Sequence, residues 1–491
     1  MMPPRSIHAT HEVFTKKQLS VVELTTHYLD LAQVETQNAY LLITRERALA
    51  QAKAADALLA RSGGIPKGQP LFGIPLALKD ILTLEGVRTT CASKILENYI
   101  PPYTATAVEK LERAGAVTLG KLNMDEFGMG GSNENSAFGA VKHPTHPDRV
   151  PGGSSGGSAT AVRAGLCLAA LGTDTGGSIR LPASFCGVVG LKPTYGRISR
   201  YGLVAFGSSL DQVGPMTNSV ADAAVLLSTM CGPDPMDSTT APQAAEDFSA
   251  GLAGFSLTGL RIGVPKEYFV EGLSPDVERA VRGALSWYEA QGAKLVPISL
   301  PHTKYSIAVY YLLAVSEAST NLSRMDGVRF GVRPPPAREA GDLVTFYNEV
   351  RALFGPEVKR RILLGTFALS SGYQDAYFKR ACQVRRLIRQ DFEKAFEQVD
   401  LIAGPVSPTT AFKRGEKTAD PLTLYLNDIF TVPVNLAGLP ALSVPCGDDP
   451  TGLPIGLHLI APAFQESRLL GAAHQFELGQ KSGLENRGNT E

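Results

Sequence analysis

The 491-residue chain has no excess of charge of either sign: Lys plus Arg and Asp plus Glu number 47 each. No global field therefore draws it to nucleic acid or to an anionic membrane, and an RNA substrate would have to be held mainly by something else. Cysteine is sparse. The six residues Cys91, Cys167, Cys186, Cys231, Cys382 and Cys446 include no Cys-x-x-Cys pair, which disfavours a zinc site and a disulfide framework and fits a reducing compartment. The amino terminus lacks the apolar segment of a secretory signal, and no apolar run approaches the length of a membrane span. A soluble, cytoplasmic protein is the expectation. Internal repeats, low-complexity tracts and a linker between two halves are missing as well. With 44% hydrophobic and 19% charged residues, the composition is that of an ordinary globular protein. The length would allow two or three domains, but the missing linker favours a single domain over 1–491.

What is present is an alternation of helical and strand-like stretches. Ser20-Val-Val-Glu23 has the capping-box pattern that opens an amphipathic helix, and an Ala-rich helix from about Glu46 stops at Gly63-Gly64. Leu71 to Lys79 reads as a buried strand with Lys79 at its carboxyl end, where open α/β sheets place their ligands. Helix is expected over 106–114, 158–164, 219–230 and from Ser274 to near Gly292. Strand is expected over 116–119, 167–171, 260–264, 294–298, 399–403, 441–444 and 455–460. Residues 305–396 are helical almost throughout and read as an insertion or cover, and the polar tail over 481–491 is expected to fray. Strands before and after the insertion look like parts of one sheet, so the fold class is α/β in one large domain.

Two glycine-serine loops stand out within 151–180. Pro151-Gly-Gly-Ser154-Ser-Gly-Gly-Ser158 and Gly172-Thr-Asp-Thr-Gly-Gly-Ser178-Ile-Arg180 flank a short apolar segment, which a flexible linker would not need. Residues without Cβ let successive amides turn inward around an anion, which is what an oxyanion hole requires. Ser178 is therefore a candidate nucleophile, with the backbone of Thr175, Gly176, Gly177 and Ser178 as its oxyanion nest. A plain turn is the ordinary reading of one such loop, and the pairing of two is what favours a site. The first loop also fits the Gly-x-Ser-x-Gly elbow of α/β-hydrolases, but its approach, His143 to Pro151, is too proline-rich for the strand that elbow needs.

The other chemical motifs are weak. His143 and His146 share that proline loop without a third ligand, so no metal site is expected, and His458 reads as a core residue. Residues 115–121 resemble a phosphate loop, yet Leu122 stands where Ser or Thr should bind magnesium. A helix-ending glycine followed by a strand is the simpler reading, although a nucleotide-binding or scaffolding role built on that loop stays open. Without a histidine base, a serine could be activated by a lysine made neutral by burial. Lys79 qualifies by position, and a solvated strand-end lysine is the alternative that spacing alone does not exclude.

Lys79, residues 152–158 and Asp174 to Pro182, continuing through 187–194, resemble the amidase signature family densely over 71 to about 217. That resemblance implies a mixed central β-sheet flanked by helices and a Ser–cis-Ser–Lys triad. In it Ser178 is the nucleophile, Ser154 on a cis peptide the proton relay and Lys79 the ultimate base. Runs at 121–132, 195–206, 208–215, 365–373 and 433–440 extend the likeness to the family's tRNA-dependent amidotransferase branch. For that branch the resemblance implies hydrolysis of glutamine and transfer of ammonia through a tunnel to a B subunit. There ATP and magnesium activate the charged tRNA, Glu-tRNA(Gln) or Asp-tRNA(Asn), and a C subunit completes a heterotrimer. No cofactor or metal is implied for the chain itself. Tyr311, Arg360 and Asp428 are implied as the glutamine-holding residues, with Tyr310 and Arg361 adjacent to the first two. A stand-alone amidase for small amides is the rival enzyme.

Overall fold

A computed structural model of the chain describes residues 4–488 apart from 270, 340 and 419, with no side-chain description at 337 and 481–488. Among the described residues eleven strands form one mixed sheet. They are β1 (Tyr40–Ile43), β2 (Pro75–Lys79), β3 (Val117–Leu122), β4 (Ala169–Asp174), β5 (Val189–Lys192), β6 (Gln212–Thr217), β7 (Arg261–Pro265), β8 (Lys294–Ile298), β9 (Leu401–Pro405), β10 (Ala441–Asp448) and β11 (Pro454–Ile460). Their order is β1-β3-β2-β4-β6-β5-β10-β11-β9-β7-β8. β2 runs parallel to both β3 and β4, whereas β4, β6, β5, β10, β11 and β9 alternate in direction. Parallel pairing returns at β9, β7 and β8. Strands from before and after the helical stretch thus share one sheet, and the chain is a single mixed α/β domain.

Local sequence signals account for several helix ends. The helix Val21–Val34 has its capping box formed by Ser20 and Glu23, and the helix Arg45–Ser62 ends on Gly63 at φ 67°. Between residues 306 and 396 the larger helices are Ser306–Asn321, Pro356–Leu369 and Arg380–Phe396. The first two cross at Gly365, where a Cβ would stand 1.9 Å from the Val315 carbonyl oxygen. Only glycine permits that approach. The last helix spans Glu466–Gly488, past the point at 481 where fraying is expected, and residues 489–491 lie outside the described part. No helix among the described residues is long and apolar enough to cross a membrane.

Three strands are not anticipated by periodicity: β1, β5 and β6. β1 and β5 are four residues long, too short for a pattern to accumulate. β6 contains Gly214 and Pro215, which by composition argue against a central strand. The tertiary fold overrides that preference because β6 must fit between β4 and β5. A Cβ at Gly214 would stand 2.0 Å from the Leu191 carbonyl oxygen.

The parallel β2–β3 pair is locked by charge. Lys121 Nζ lies 2.8 Å from Asp80 Oδ1 with both side chains buried, and it also donates to Thr89 Oγ1 at 2.9 Å. The second carboxylate oxygen of Asp80 accepts from the Thr90 amide at 2.8 Å. Residues 115–121 are therefore a helix-ending glycine at φ 95° followed by a strand whose lysine is already paired, not a phosphate loop. Lys121→Met should destabilise the fold by about 3–5 kcal/mol, because it leaves Asp80 as an uncompensated buried charge. Urea unfolding measures this, and an unchanged midpoint and slope would show the pair to be dispensable.

Candidate active site

Lys79 ends β2 and Asp174 ends the neighbouring parallel strand β4, so both carboxyl ends deliver side chains to one place. The Lys79 side chain is fully buried. Its Nζ lies 2.7 Å from Ser154 Oγ, 2.9 Å from Ser155 Oγ and 2.8 Å from Thr173 Oγ1. The peptide bond Gly153–Ser154 is cis. Burial lowers the Lys79 pKa to about 7, against the pull of Asp125, Asp174 and Asp211, so the neutral amine is available near neutral pH. A neutral amine has two N–H donors and one lone pair. Ser155 Oγ donates to the Thr173 carbonyl at 3.1 Å, so toward Lys79 it acts as acceptor. The lone pair is left for a hydroxyl such as that of Ser154.

Residues 175–178 form a tight turn after β4, bonded to the same centre. The Ser155 amide donates to the Ser178 carbonyl at 3.2 Å. Ser178 is 9% exposed, against 1% for Ser154 and 0% for Lys79, so it is the outermost of the three. Thr175 Oγ1 donates to Asp211 at 2.7 Å. Burial raises Asp211 to about 6, against the bonds from Thr175 and the Gly207 and Phe206 amides. Gly176 and Gly177 have to be glycine. A Cβ at the first would meet the Tyr310 ring at 2.7 Å, and at the second, with φ +149°, it would meet Thr431 Oγ1 at 2.4 Å and Asp428 Oδ1 at 2.6 Å. The amides of Ile179 and Arg180 turn back to the Asp174 carboxylate. Burial opposes ionisation of Asp174, yet the Arg180 guanidinium, bidentate at 3.0 Å to each oxygen, holds it well below the usual carboxylate range. Arg180 also donates to the Thr431 carbonyl at 3.2 Å, tying the turn to the helix Val432–Ala437.

At the rim, neighbouring residues of one type face different ways. Arg360 is 44% exposed and ion-paired to Glu357, so it does not face the centre. Arg361 does, being 3% exposed. Its guanidinium lies over the rings of Phe206, Tyr311 and Tyr425, and its Nε donates to Glu357 Oε1 at 2.8 Å. Successive residues on a helix point about 100° apart, so the basic run 359–361 can place only one side chain inward, and packing selects which. Likewise Tyr310 packs against Gly176, while Tyr311 stacks on Tyr425 with ring centroids 3.9 Å apart. Asp428 lies beside Gly177 and Thr431. Burial and the nearby Asp174 raise it to about 8, opposed by Arg180 and Arg361.

The sequence matches the amidase family over residues 23–470. It is 55% identical to the A subunit of the glutamyl-tRNA(Gln) amidotransferase of Geobacter metallireducens, over 98% of this chain and 99% of that one. The chain belongs to the amidase family. Among solved amidase-family structures it resembles the A subunit of the Thermotoga maritima glutamyl-tRNA(Gln) amidotransferase, with 42% identity, a TM-score of 0.76 and 94% of each chain covered. The peptide amidase of Stenotrophomonas maltophilia is similar at 30% identity and a TM-score of 0.79, with 97% of each chain covered.

Several residues of this amidase centre escape sequence reasoning. Ser155 and Thr173 are spoken for by Lys79, although neither differs in type from its neighbours in the loops. Asp125 also emerges only in three dimensions: its carboxylate accepts from the Asn133 and Asn135 amides at 3.0 Å each, and a Cβ on Gly153 would reach 2.0 Å from it. Burial raises it to about 6. His143 is buried, with Nε2 2.8 Å from the Phe185 carbonyl oxygen, and His458 is buried beside Arg180. Among the described residues no group of His, Cys, Asp and Glu is arranged to hold a metal. The arrangement can carry out nucleophilic acyl chemistry at an amide, with a hydroxyl attacking and a lysine amine as base. Gly177→Ala should lower kcat/KM for amide hydrolysis about 100-fold or more, the order lost when an oxyanion donor is displaced. A rate within a few-fold of the parent would show that the turn tolerates a side chain there.

Proposed function

We propose that the chain is the glutamine-hydrolysing component of a tRNA-dependent amidotransferase, its A subunit, which releases ammonia for conversion of Glu-tRNA(Gln), and of Asp-tRNA(Asn), to the amide form. The observation that carries the chemistry is the fully buried Lys79 amine hydrogen-bonded to Ser154 beside the Gly-Gly-Ser178 turn. The choice of substrate is supported by the end-to-end likeness to the proteins of that name in Geobacter metallireducens and Thermotoga maritima.

In this reading Ser178 Oγ attacks the side-chain amide carbon of glutamine, and its proton passes through Ser154 to Lys79. The amides of Thr175, Gly176, Gly177 and Ser178 hold the oxyanion. Ser154 then returns a proton to the leaving nitrogen, since an amide departs only as ammonia. Water resolves the glutamyl ester to glutamate and restores Ser178. Arg361 supplies the positive charge for the α-carboxylate, Asp428 takes the α-ammonium and Tyr310 backs the glycine turn. Asp428 would ionise on binding, because a bound ammonium favours the charged carboxylate. ATP, magnesium and the charged tRNA are assigned to a B subunit, and a C subunit completes a cytoplasmic heterotrimer. The balanced net charge agrees with tRNA being held by partners.

The likeness to a peptide amidase supports the rival, a stand-alone amide hydrolase. Co-purification with partners and an assay of glutamine-dependent tRNA amidation separates the two. Brisk turnover of diverse amides by the isolated chain, with no amidation in any assembly, would favour the rival. Ser178→Ala should remove glutamine-dependent amidation yet leave the ammonia-dependent reaction of the complex intact, and loss of both in a folded complex contradicts the division of labour. The glutaminase rate should also follow the neutral fraction of Lys79. It rises through about pH 7 and falls about tenfold per pH unit below that; protonation of Asp125 and Asp211, both near 6, removes negative charge that favours the ammonium form and makes the fall shallower at lower pH. A flat pH profile from 5 to 8 would mean that the base lies elsewhere.

A further inference from the structure

Glu126 lies outside the groups that the mechanism uses, yet it is 2% exposed and bridges two distant parts of the chain. One carboxylate oxygen accepts from the Gly355 amide at 2.8 Å, and the other accepts from the Ser93 hydroxyl. Gly355 is the N-cap of the helix Pro356–Leu369 and makes no side-chain cap of its own. A Cβ there would stand 2.3 Å from the Glu126 carboxylate, so the glycine lets an acid from the signature core reach the start of that helix. Negative charge is favoured at such an end. The same helix carries Glu357 and Arg361 inward.

The turn bearing Glu126 is tied at its other side to the relay serine. The Asp125 amide donates to the Ser154 carbonyl at 3.2 Å. Gly128 lies close enough that a Cβ on it would stand 3.7 Å from Ser154 Oγ. Between them Phe127 adopts φ 50°, a conformation that side chains other than glycine rarely take, and its ring meets Phe354 edge-on at 5.8 Å. Residues 125–128 therefore touch the relay on one side and the helix start on the other.

We infer that Glu126 is a positioning residue that sets the helix Pro356–Leu369, and with it Arg361, at a fixed distance from Ser154, so that grip on the substrate's carboxylate and attack on its amide stay in register. The inference rests on the proposed use of glutamine. Burial raises Glu126 to about 7, against the bonds from Ser93 and Gly355, so a neutral side chain of the same shape can do its work. Glutamine at this position keeps an oxygen for the Gly355 amide, and the Ser93 hydroxyl can turn to accept from the new amide.

The test compares Glu126→Ala and Glu126→Gln with the wild type in the same purified assembly, on glutamine and on a control amide. Butyramide, which has neither α-carboxylate nor α-ammonium, is the control substrate. Glu126→Ala should raise KM for glutamine about tenfold or more, as expected when a buried donor loses its partner, with kcat changed by less than about threefold and butyramide hydrolysis intact. Glu126→Gln should restore the glutamine KM. Hydrogen exchange at the amides of 355–361 should quicken in Glu126→Ala and return to the parent rate in Glu126→Gln. Equal losses on glutamine and butyramide, or unchanged exchange over 355–361 in Glu126→Ala, would overturn the inference. A wild type that hydrolyses butyramide but not glutamine, with exchange quickened in Glu126→Ala, upholds the link while sinking the substrate assignment.

Discussion

The organising constraint is an amine taken out of water without a carboxylate beside it. Lys79 is surrounded by three hydroxyls, those of Ser154, Ser155 and Thr173. Hydroxyls satisfy its hydrogen bonds without contributing the negative charge that would hold the proton on. Burial disfavours the ammonium form, and the result is an amine whose neutral form is accessible near neutral pH. To bury it, two parallel strands must end side by side and two glycine-rich turns must close over their ends. The long signature region serves that geometry.

The acids around the centre are kept from undoing this effect because each has another commitment. Asp174 is ionised, but its charge is matched by Arg180 in a bidentate pair. Asp125 and Asp211 are held by backbone amides and by Thr175, and burial raises both toward neutrality. Asp428, at the rim, is raised further. One sheet end thus holds an amine that burial drives toward the neutral form, a matched ion pair and an acid that burial keeps protonated, separated by their surroundings rather than by their chemical type.

The helices between residues 306 and 396 supply the rim of the candidate site. They bring Tyr310 against the nucleophile turn and Arg361 toward Asp428. Gly365 against Val315 sets two of them against each other, and Glu126 against Gly355 ties them to the turn that follows β3, both contacts made by residues far apart in the chain.

Much of this was legible in the residues themselves. The capping box at Ser20, the helix stop at Gly63, the strand ending in Lys79 and the glycine-serine turns all depend on local backbone preferences, which act over a few residues. Lys79, Ser154 and Ser178 were legible as candidates through the family resemblance, because they lie in dense motifs. The short strands β1 and β5 were not, since four residues carry too little periodicity, and β6 ran against its own composition at Gly214 and Pro215. Nor was the choice between Arg360 and Arg361, or between Tyr310 and Tyr311. Neighbouring helical residues of one type are equivalent until a packed surface decides which turns inward. By itself the sequence determined which chemical groups are available and where the chain turns, because those are properties of residues and their immediate neighbours. Only the tertiary structure decided that Lys79 is dry, that Arg361 faces the site and that Glu126 reaches Gly355, because burial and long-range contact exist only once distant segments have packed.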